Sequence, residues 1–148
     1  MILSNEGLIK REDWEGKGYQ IPQYDREKMI EATKKNPFWI HFGPGNIFRA
    51  FQANVVQNLL NEGLLDRGLV VAEGYDYEII EKMNHPHDDY NLLVTLKADG
   101  TTEIIPVRSH ECEESSADVL SVLCNTDYGQ FKLLFDEDAM IVSFAPAT

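Results

Sequence analysis

Apolar and polar positions divide this chain into an unpatterned start and a strongly patterned remainder. Residues 1–24 mix charge, glycine and the run "IPQY" without a sustained period, which suggests an arm that lies on another surface rather than a separate fold. "YDREKMIEATKKN" predicts a short helix, with Asp25 placed to cap its first turn and Pro37 just beyond its end. "FWIHF" is a run of aromatic and branched residues between Pro37 and Gly43, as in a buried parallel strand. "FRAFQANVVQNLLNEG" then sets Phe48, Phe51, Val55, Leu59 and nearby Leu60 at helical intervals, up to Gly63. "RGLVVAEG" is a second apolar strand that ends on an acid, Glu73.

Strand, glycine turn, helix and strand make a βαβ unit, and a right-handed crossover sets its two strands parallel and adjacent. "NLLVTLKADGTTEIIPVR" departs from this alternation. It is two β-rich runs joined at Asp99 and Gly100, which predicts an antiparallel hairpin inserted after the second strand. "SSADVLSVLCN" pairs a Ser cap with a helical stripe, a further short helix is expected around "YGQFKLLFD", and Met140 to Ala145 read as another buried strand. The acidic "HECEESSAD" reads as a solvated loop.

The expected architecture is therefore α/β: an arm and short helix over residues 1–36, then a Rossmann-like dinucleotide-binding domain over 37–148. Its sheet is mainly parallel and carries the inserted hairpin. Ligands of such sheets lie beyond the carboxyl ends of the strands, and the chain stops beside one. A truncated fold, lacking a C-terminal domain, is the expectation.

Composition narrows the function. At 148 residues and 43% hydrophobic content the chain has the material for one core. Thirteen basic against twenty-five acidic residues give a net charge of −12, which repels nucleic acid and anionic lipid. No run approaches the roughly 18 apolar residues of a membrane span, and the N-terminus lacks a basic start followed by a hydrophobic core. The expected location is the cytoplasm. Cys112 and Cys124 show neither a CxxC nor a neighbouring His pair, so both read as reduced thiols.

In so acidic a chain, an anionic cofactor has to rely on local backbone N–H groups and a helix dipole, so the turn in "HFGPGNIF" becomes the candidate site. A dinucleotide turn needs one glycine for the bend and a second for close approach of the pyrophosphate. Gly43 and Gly45 can take these roles with Asn46 and Ile47, while Phe48 stands where GxGxxG has its third glycine and keeps the helix farther from the strand. Glu73, 28 residues past Gly45, can accept from ribose hydroxyls and repel a 2′-phosphate, favouring NAD over NADP, with Asp76 as the rival acid. Arg49 can pair with a cofactor anion or with a surface carboxylate.

Other groups read more plainly. His41 is expected as a hydrogen-bonded core histidine, and His85, His87, Asp88 and Asp89 as a solvated loop around Pro86 rather than a metal site. An S-adenosylmethionine-dependent methyltransferase uses a similar turn but commonly has an acid before the first glycine, where His41 and Phe42 stand here. A stand-alone nucleotide-binding or regulatory module is the other alternative.

The same residues resemble the long-chain mannitol dehydrogenase family. "PQYDR" is similar to a PxYDR segment upstream of the family's first strand, and "IHFGPGNIFRAFQA" to its I-V-H-x-G-x-G-x-F-x-R-A-H-Q-A signature. His41, Gly43, Gly45, Arg49, Ala50, Gln52 and Ala53 match, while Phe51 replaces the histidine and Ile47 with Phe48 shifts the aromatic by one place. "HDDYNLLVTLKADG" and "MIVSFAPAT" resemble later family segments, the second normally continuing into T-E-K-G-Y. "HFGPGNIFR" also resembles the turn of mannitol-1-phosphate 5-dehydrogenases, which lack a PxYDR segment.

The resemblance implies hydride transfer between a nicotinamide cofactor and a sugar acid or polyol, with D-mannonate and D-fructuronate favoured, then tagaturonate or mannitol. It also implies that the acid/base is a lysine with Asn and His neighbours on a helix of a C-terminal domain. No catalytic residue is then expected in these 148 residues, and the chain alone is expected to be inactive.

Overall fold

The structure, a computed structural model, describes residues 1–43, 45–73, 77–108, 110–114 and 141–144, with residue 77 and the last two segments described as backbone. The expected helices around "SSADVLSVLCN" and "YGQFKLLFD", Cys124, Pro44 and Asp76 lie outside these residues.

Four strands form one parallel sheet: β1 (Trp39–Phe42), β2 (Leu69–Glu73), β5 (His110–Glu114) and β6 (Ile141–Phe144), in spatial order β5-β2-β1-β6. Val71 lies opposite both His41 of β1 and Cys112 of β5, and His41 lies opposite Ser143 of β6. The chain thus runs outward from β1 through β2 to β5, then returns to β6 on the other side of β1. That reversal makes the carboxyl end of β1 the topological switch point. The strand over 110–114 corrects the solvated loop expected for "HECEESSAD". Its ladder to β2 is made by backbone groups, and among the described strands it lies at the sheet edge, where a polar sequence is tolerated.

The hairpin is β3 (Asn91–Leu96) and β4 (Thr102–Val107), antiparallel, with Leu93 opposite Ile105, and its turn is closed where Gly100 takes a φ of +82°. One face sends Leu93, Ile105 and Val107 into the main core. On the other, Leu92, Val94 and Leu96 of β3 stay exposed, Leu96 by 79%.

Between β1 and β2 runs a helix in two parts, α3 (Asn46–Ala50) and α4 (Gln52–Asn61), which meet at Phe51, where Phe51 N donates to Ile47 O and Val55 N to Phe51 O, both at 2.9 Å. Its buried face is Phe48, Ala53, Val56, Gln57 and Leu60. This corrects the expected stripe, because Phe51 and Val55 are 64% and 42% exposed. Gln57 explains the shift. It is fully buried, donates from Nε2 to Pro106 O at 3.0 Å and accepts at Oε1 from Arg108 N at 2.8 Å, so a polar side chain faces inward to hold the end of β4.

The main core joins Phe48, Val56 and Leu60 to Leu69 and Val71, and Met29 of α2 (Arg26–Lys35) packs into it from outside the 37–148 segment. Asp25 caps α2, its carboxylate accepting from Lys28 N at 3.2 Å. Thr33 Oγ1 accepts from Gly68 N at 2.8 Å, tying α2 to the start of β2. Full burial of one Val or Leu side chain contributes about 1.5–3 kcal/mol, so this cluster carries much of the fold's stability.

The N-terminal arm packs on the rest of the chain and holds a short helix, α1 (Arg11–Glu15), that its sequence did not announce. Leu8, Trp14 and Ile21 share a small cluster with Tyr90, and Trp14 Nε1 donates to Gly7 O at 2.8 Å. Beyond α1 the arm meets the hairpin, where Gln20 N donates to Ile104 O at 3.0 Å. The edge of β4 is therefore covered by the arm.

From β2 the chain passes to α5 (Tyr77–Ile79), continues as a π-helical turn over Ile80–Asn84 and ends in a 3₁₀ turn over His85–His87. This corrects the solvated loop. Asp89 is buried, with Oδ2 3.7 Å from Nη2 of the buried Arg108, and Asp88 accepts at Oδ2 from Asn5 N at 2.8 Å. Both aspartates hold positive φ, 48° and 60°, a conformation open to short polar side chains.

Candidate functional site

The glycine turn sits at the carboxyl end of β1. Gly43 takes a φ of +97°, in the left-handed region, and its N–H donates to Ala72 O at 2.9 Å. That bond stitches the turn to β2 one residue before Glu73. A side chain at 43 would be strained by 1–2 kcal/mol or so, which accounts for glycine at this position.

Gly45 is glycine for a different reason. Its φ of −67° and ψ of 176° are open to any residue, and a Cβ built there meets no atom within 4 Å. Among the described residues nothing requires a bare backbone at this point. A ligand that must approach the chain closely would require it. Arg49 N donates to Gly45 O at 3.1 Å as the first rung of the helix ladder, which leaves the amides of Asn46 and Ile47 ahead of it, at the positive end of the α3–α4 dipoles.

Behind the turn, His41 is buried and its ring lies on that of Phe48. Burial pushes the imidazole pKa below the ordinary 6.5, with a hydrogen bond to the Gly43 backbone working in the opposite direction. His41 is thus a neutral core residue, as its apolar strand implies. Phe48 fills the space that a third glycine would leave, and spaces the helix from β1 by a ring.

Glu73 ends β2 beside the turn and is only 8% exposed, so it is no solvated strand-end acid. Asp76, its rival, lies outside the described residues. The structure therefore brings Gly43, Gly45, Asn46, Ile47 and Glu73 to one edge of the sheet.

Arg49 stands one helical turn further along. Its Nη2 donates to Asn46 Oδ1 at 2.6 Å and its Nη1 to Asn91 Oδ1 at 3.3 Å. Among the described residues its guanidinium meets no carboxylate. It lines a cavity of about 580 Å³ between α3 and the hairpin, whose walls include neither glycine nor Glu73.

A network that sequence spacing could not reveal supports this region from below. Tyr24 donates through its hydroxyl to Arg108 O, Arg26 donates to the Tyr90 hydroxyl, and Arg108 Nε donates to Asp88 O. The guanidinium carbons of Arg26 and Arg108 lie 5.5 and 5.8 Å from the centroid of the Tyr90 ring. Asn91, next in the chain, holds Arg49. The segment "PQYDR" thus anchors the start of the hairpin.

Among the described residues no group of three or more His, Cys, Asp or Glu could hold a metal ion, and no helix is long and apolar enough to cross a membrane.

No family model matches the chain. It is 46% identical over 103 residues, 70% of its length, to the D-mannonate oxidoreductase of Thermotoga maritima, and spans 19% of that protein. Its structure is similar to mannitol 2-dehydrogenase of Pseudomonas fluorescens, solved as a ternary complex with NAD and D-mannitol, with a TM-score of 0.63 and 20% identity. That likeness covers 98% of this chain and 26% of the solved one. At this identity it bears on the fold, and agrees with a Rossmann-like sheet carrying a hairpin.

Proposed function

Because the chain belongs to the mannitol dehydrogenase family, matching its N-terminal part, we propose that it is the nicotinamide-cofactor half of an oxidoreductase acting on a sugar acid or polyol. The observation that carries this reading is the turn itself. Gly45 leaves its Cβ direction empty without needing to, at the switch point of a parallel sheet and beside a buried strand-end acid. A pyrophosphate filling that space supplies the missing reason.

In this reading the amides of Asn46 and Ile47 face the pyrophosphate, and Gly43 sets the bend that aims them. Glu73, or Asp76 in its place, accepts hydrogen bonds from the ribose hydroxyls and repels a 2′-phosphate, so NAD is preferred to NADP. A nicotinamide held here supplies hydride exchange with a secondary alcohol or its ketone. His41, buried and neutral under the turn, supports the backbone and exchanges no proton with substrate. The proton donor and acceptor come from residues beyond those of this chain. D-Mannonate is the favoured substrate, since the relative at 46% identity bears that name, and the cytoplasm is the favoured location.

Calorimetric titration with NADH, NADPH and S-adenosylmethionine, with Gly45→Val as control, tests the reading. NADH binding that is lost in the variant supports it. Binding of S-adenosylmethionine in preference to NADH overturns it.

A further inference from the structure

We propose that the cavity between α3 and β3 is an anion subsite, separate from the glycine turn, that takes the carboxylate of a small organic acid on Arg49. Three observations converge. The cavity, about 580 Å³, is within the usual range for small-molecule sites. Its described lining contains Arg49 and His87 but no Asp or Glu, in a chain with twenty-five acidic residues. Arg49 is half-buried there and is held by two neutral amide oxygens, those of Asn46 and Asn91.

The chemistry follows from the donor count. A guanidinium has five N–H donors, and two of Arg49's are directed to the asparagines, which leaves three, enough for a bidentate pair with a carboxylate. The asparagines fix the guanidinium without neutralising it. His87 is oriented by its Nδ1, which donates to Leu3 O at 3.1 Å. The same lining includes Met83 and Leu93, which suit the carbon chain of an acid better than a bare phosphate. That the acid is a sugar acid rests on the oxidoreductase reading, whereas the anion subsite rests on geometry alone.

A phosphate has related chemistry, and the test separates the two sources. Backbone amide shifts of the 148-residue chain are followed by NMR at constant ionic strength during titration with D-gluconate, D-mannitol and inorganic phosphate, and NADH is titrated separately. The expected result is that gluconate moves the amides of Asn91, Leu92 and Leu93 and binds at least tenfold more tightly than either mannitol or phosphate. Arg49→Gln should weaken gluconate at least tenfold.

Asn91→Asp should weaken gluconate similarly, because it places an internal carboxylate beside the guanidinium, and it decides the matter if Arg49→Gln does not fold. Equal binding of mannitol, shifts confined to other residues, or gluconate binding indifferent to Asn91→Asp would overturn the proposal. So would loss of NADH binding in a folded Arg49→Gln, which would return Arg49 to the dinucleotide site. If the wild type binds gluconate as expected but not NADH, the subsite stands and the cofactor reading fails.

Discussion

The imidazole of His41 and the ring of Phe48 lie face to face, with centroids 4.7 Å apart and planes 15° from parallel. This pair joins the central strand to the helix that follows the glycine turn, and its protonation state has a cost. The folded-state pKa of His41 is depressed, so below the ordinary 6.5 the unfolded chain binds more protons than the folded one.

The contribution of His41 to stability is therefore present above pH 6.5 and is lost as pH falls toward the folded value. Urea midpoints between pH 8 and 5, conditions chosen to bracket this change, should fall more steeply in the wild type than in His41→Phe. The slope for one such group is at most about 1.4 kcal/mol per pH unit. Parallel profiles would show that His41 does not report the pH dependence. Phe48→Ala should cost about 3–5 kcal/mol at any pH in that range.

Gly43 and Gly45 should respond oppositely to alanine. Gly43→Ala is expected to lose about 1–2 kcal/mol in urea denaturation, because alanine resists the left-handed backbone. Gly45→Ala should leave stability within about 0.5 kcal/mol and yet weaken NADH, since its methyl meets none of the described residues but stands where a ligand would approach. Unchanged NADH affinity in Gly45→Ala would contradict close approach at this position.

Gln57 tests how the hairpin is held. Gln57→Leu keeps the side chain's approximate volume but leaves Pro106 O and Arg108 N without their partner, at about 1–3 kcal/mol for each buried group. Denaturation should show a loss well above that of a surface Gln→Leu, and hydrogen exchange should quicken at Arg108 first. A loss of less than about 0.5 kcal/mol would mean that the clamp contributes little.

Tyr24 sets the alkaline limit. Burial, then the neighbouring Tyr90, push its pKa far above the ordinary 10.0, outweighing the opposing charges of Arg108 and Arg26. With the folded value raised, Tyr24's contribution is intact below pH 10 and is lost above it, as the unfolded chain ionises first. Alkaline unfolding should come at higher pH in Tyr24→Phe than expected from its stability at pH 7. An ultraviolet titration of the native chain should show both Tyr24 and Tyr90, whose pKa burial also raises, ionising later than the exposed tyrosines.

The strand, glycine turn and following helix could be read from the chain because each has a local cause: an apolar run, a residue free to take positive φ, and a helical period. The phase of that helix could not. The expected stripe held Phe48 and Leu60, which are buried, but also Phe51 and Val55 in place of Ala53 and Val56, and the buried Gln57 argues for that choice until its partners at 106 and 108 are known. The strand at 110–114 was hidden because a parallel edge pairs through backbone groups that side-chain alternation does not report. The contacts of Arg26 with Tyr90 and of Tyr24 with Arg108 join residues 64 and 84 positions apart. Spacing alone cannot foretell such pairs, although the match of "PQYDR" to a family segment marked two of the four residues. Glu73 was legible as a strand-end acid, its burial was not.

The face that β3 turns outward, with Leu92, Val94 and Leu96 in a row, also governs how the isolated chain behaves in bulk. At a net charge of −12, copies repel one another, and that repulsion reaches only about 10 Å at 0.1 M salt and about 3 Å at 1 M. Low ionic strength therefore keeps these leucines apart. Concentrated salt removes the barrier while strengthening apolar attraction, so the chain's colloidal fate depends on its buffer as much as on its fold.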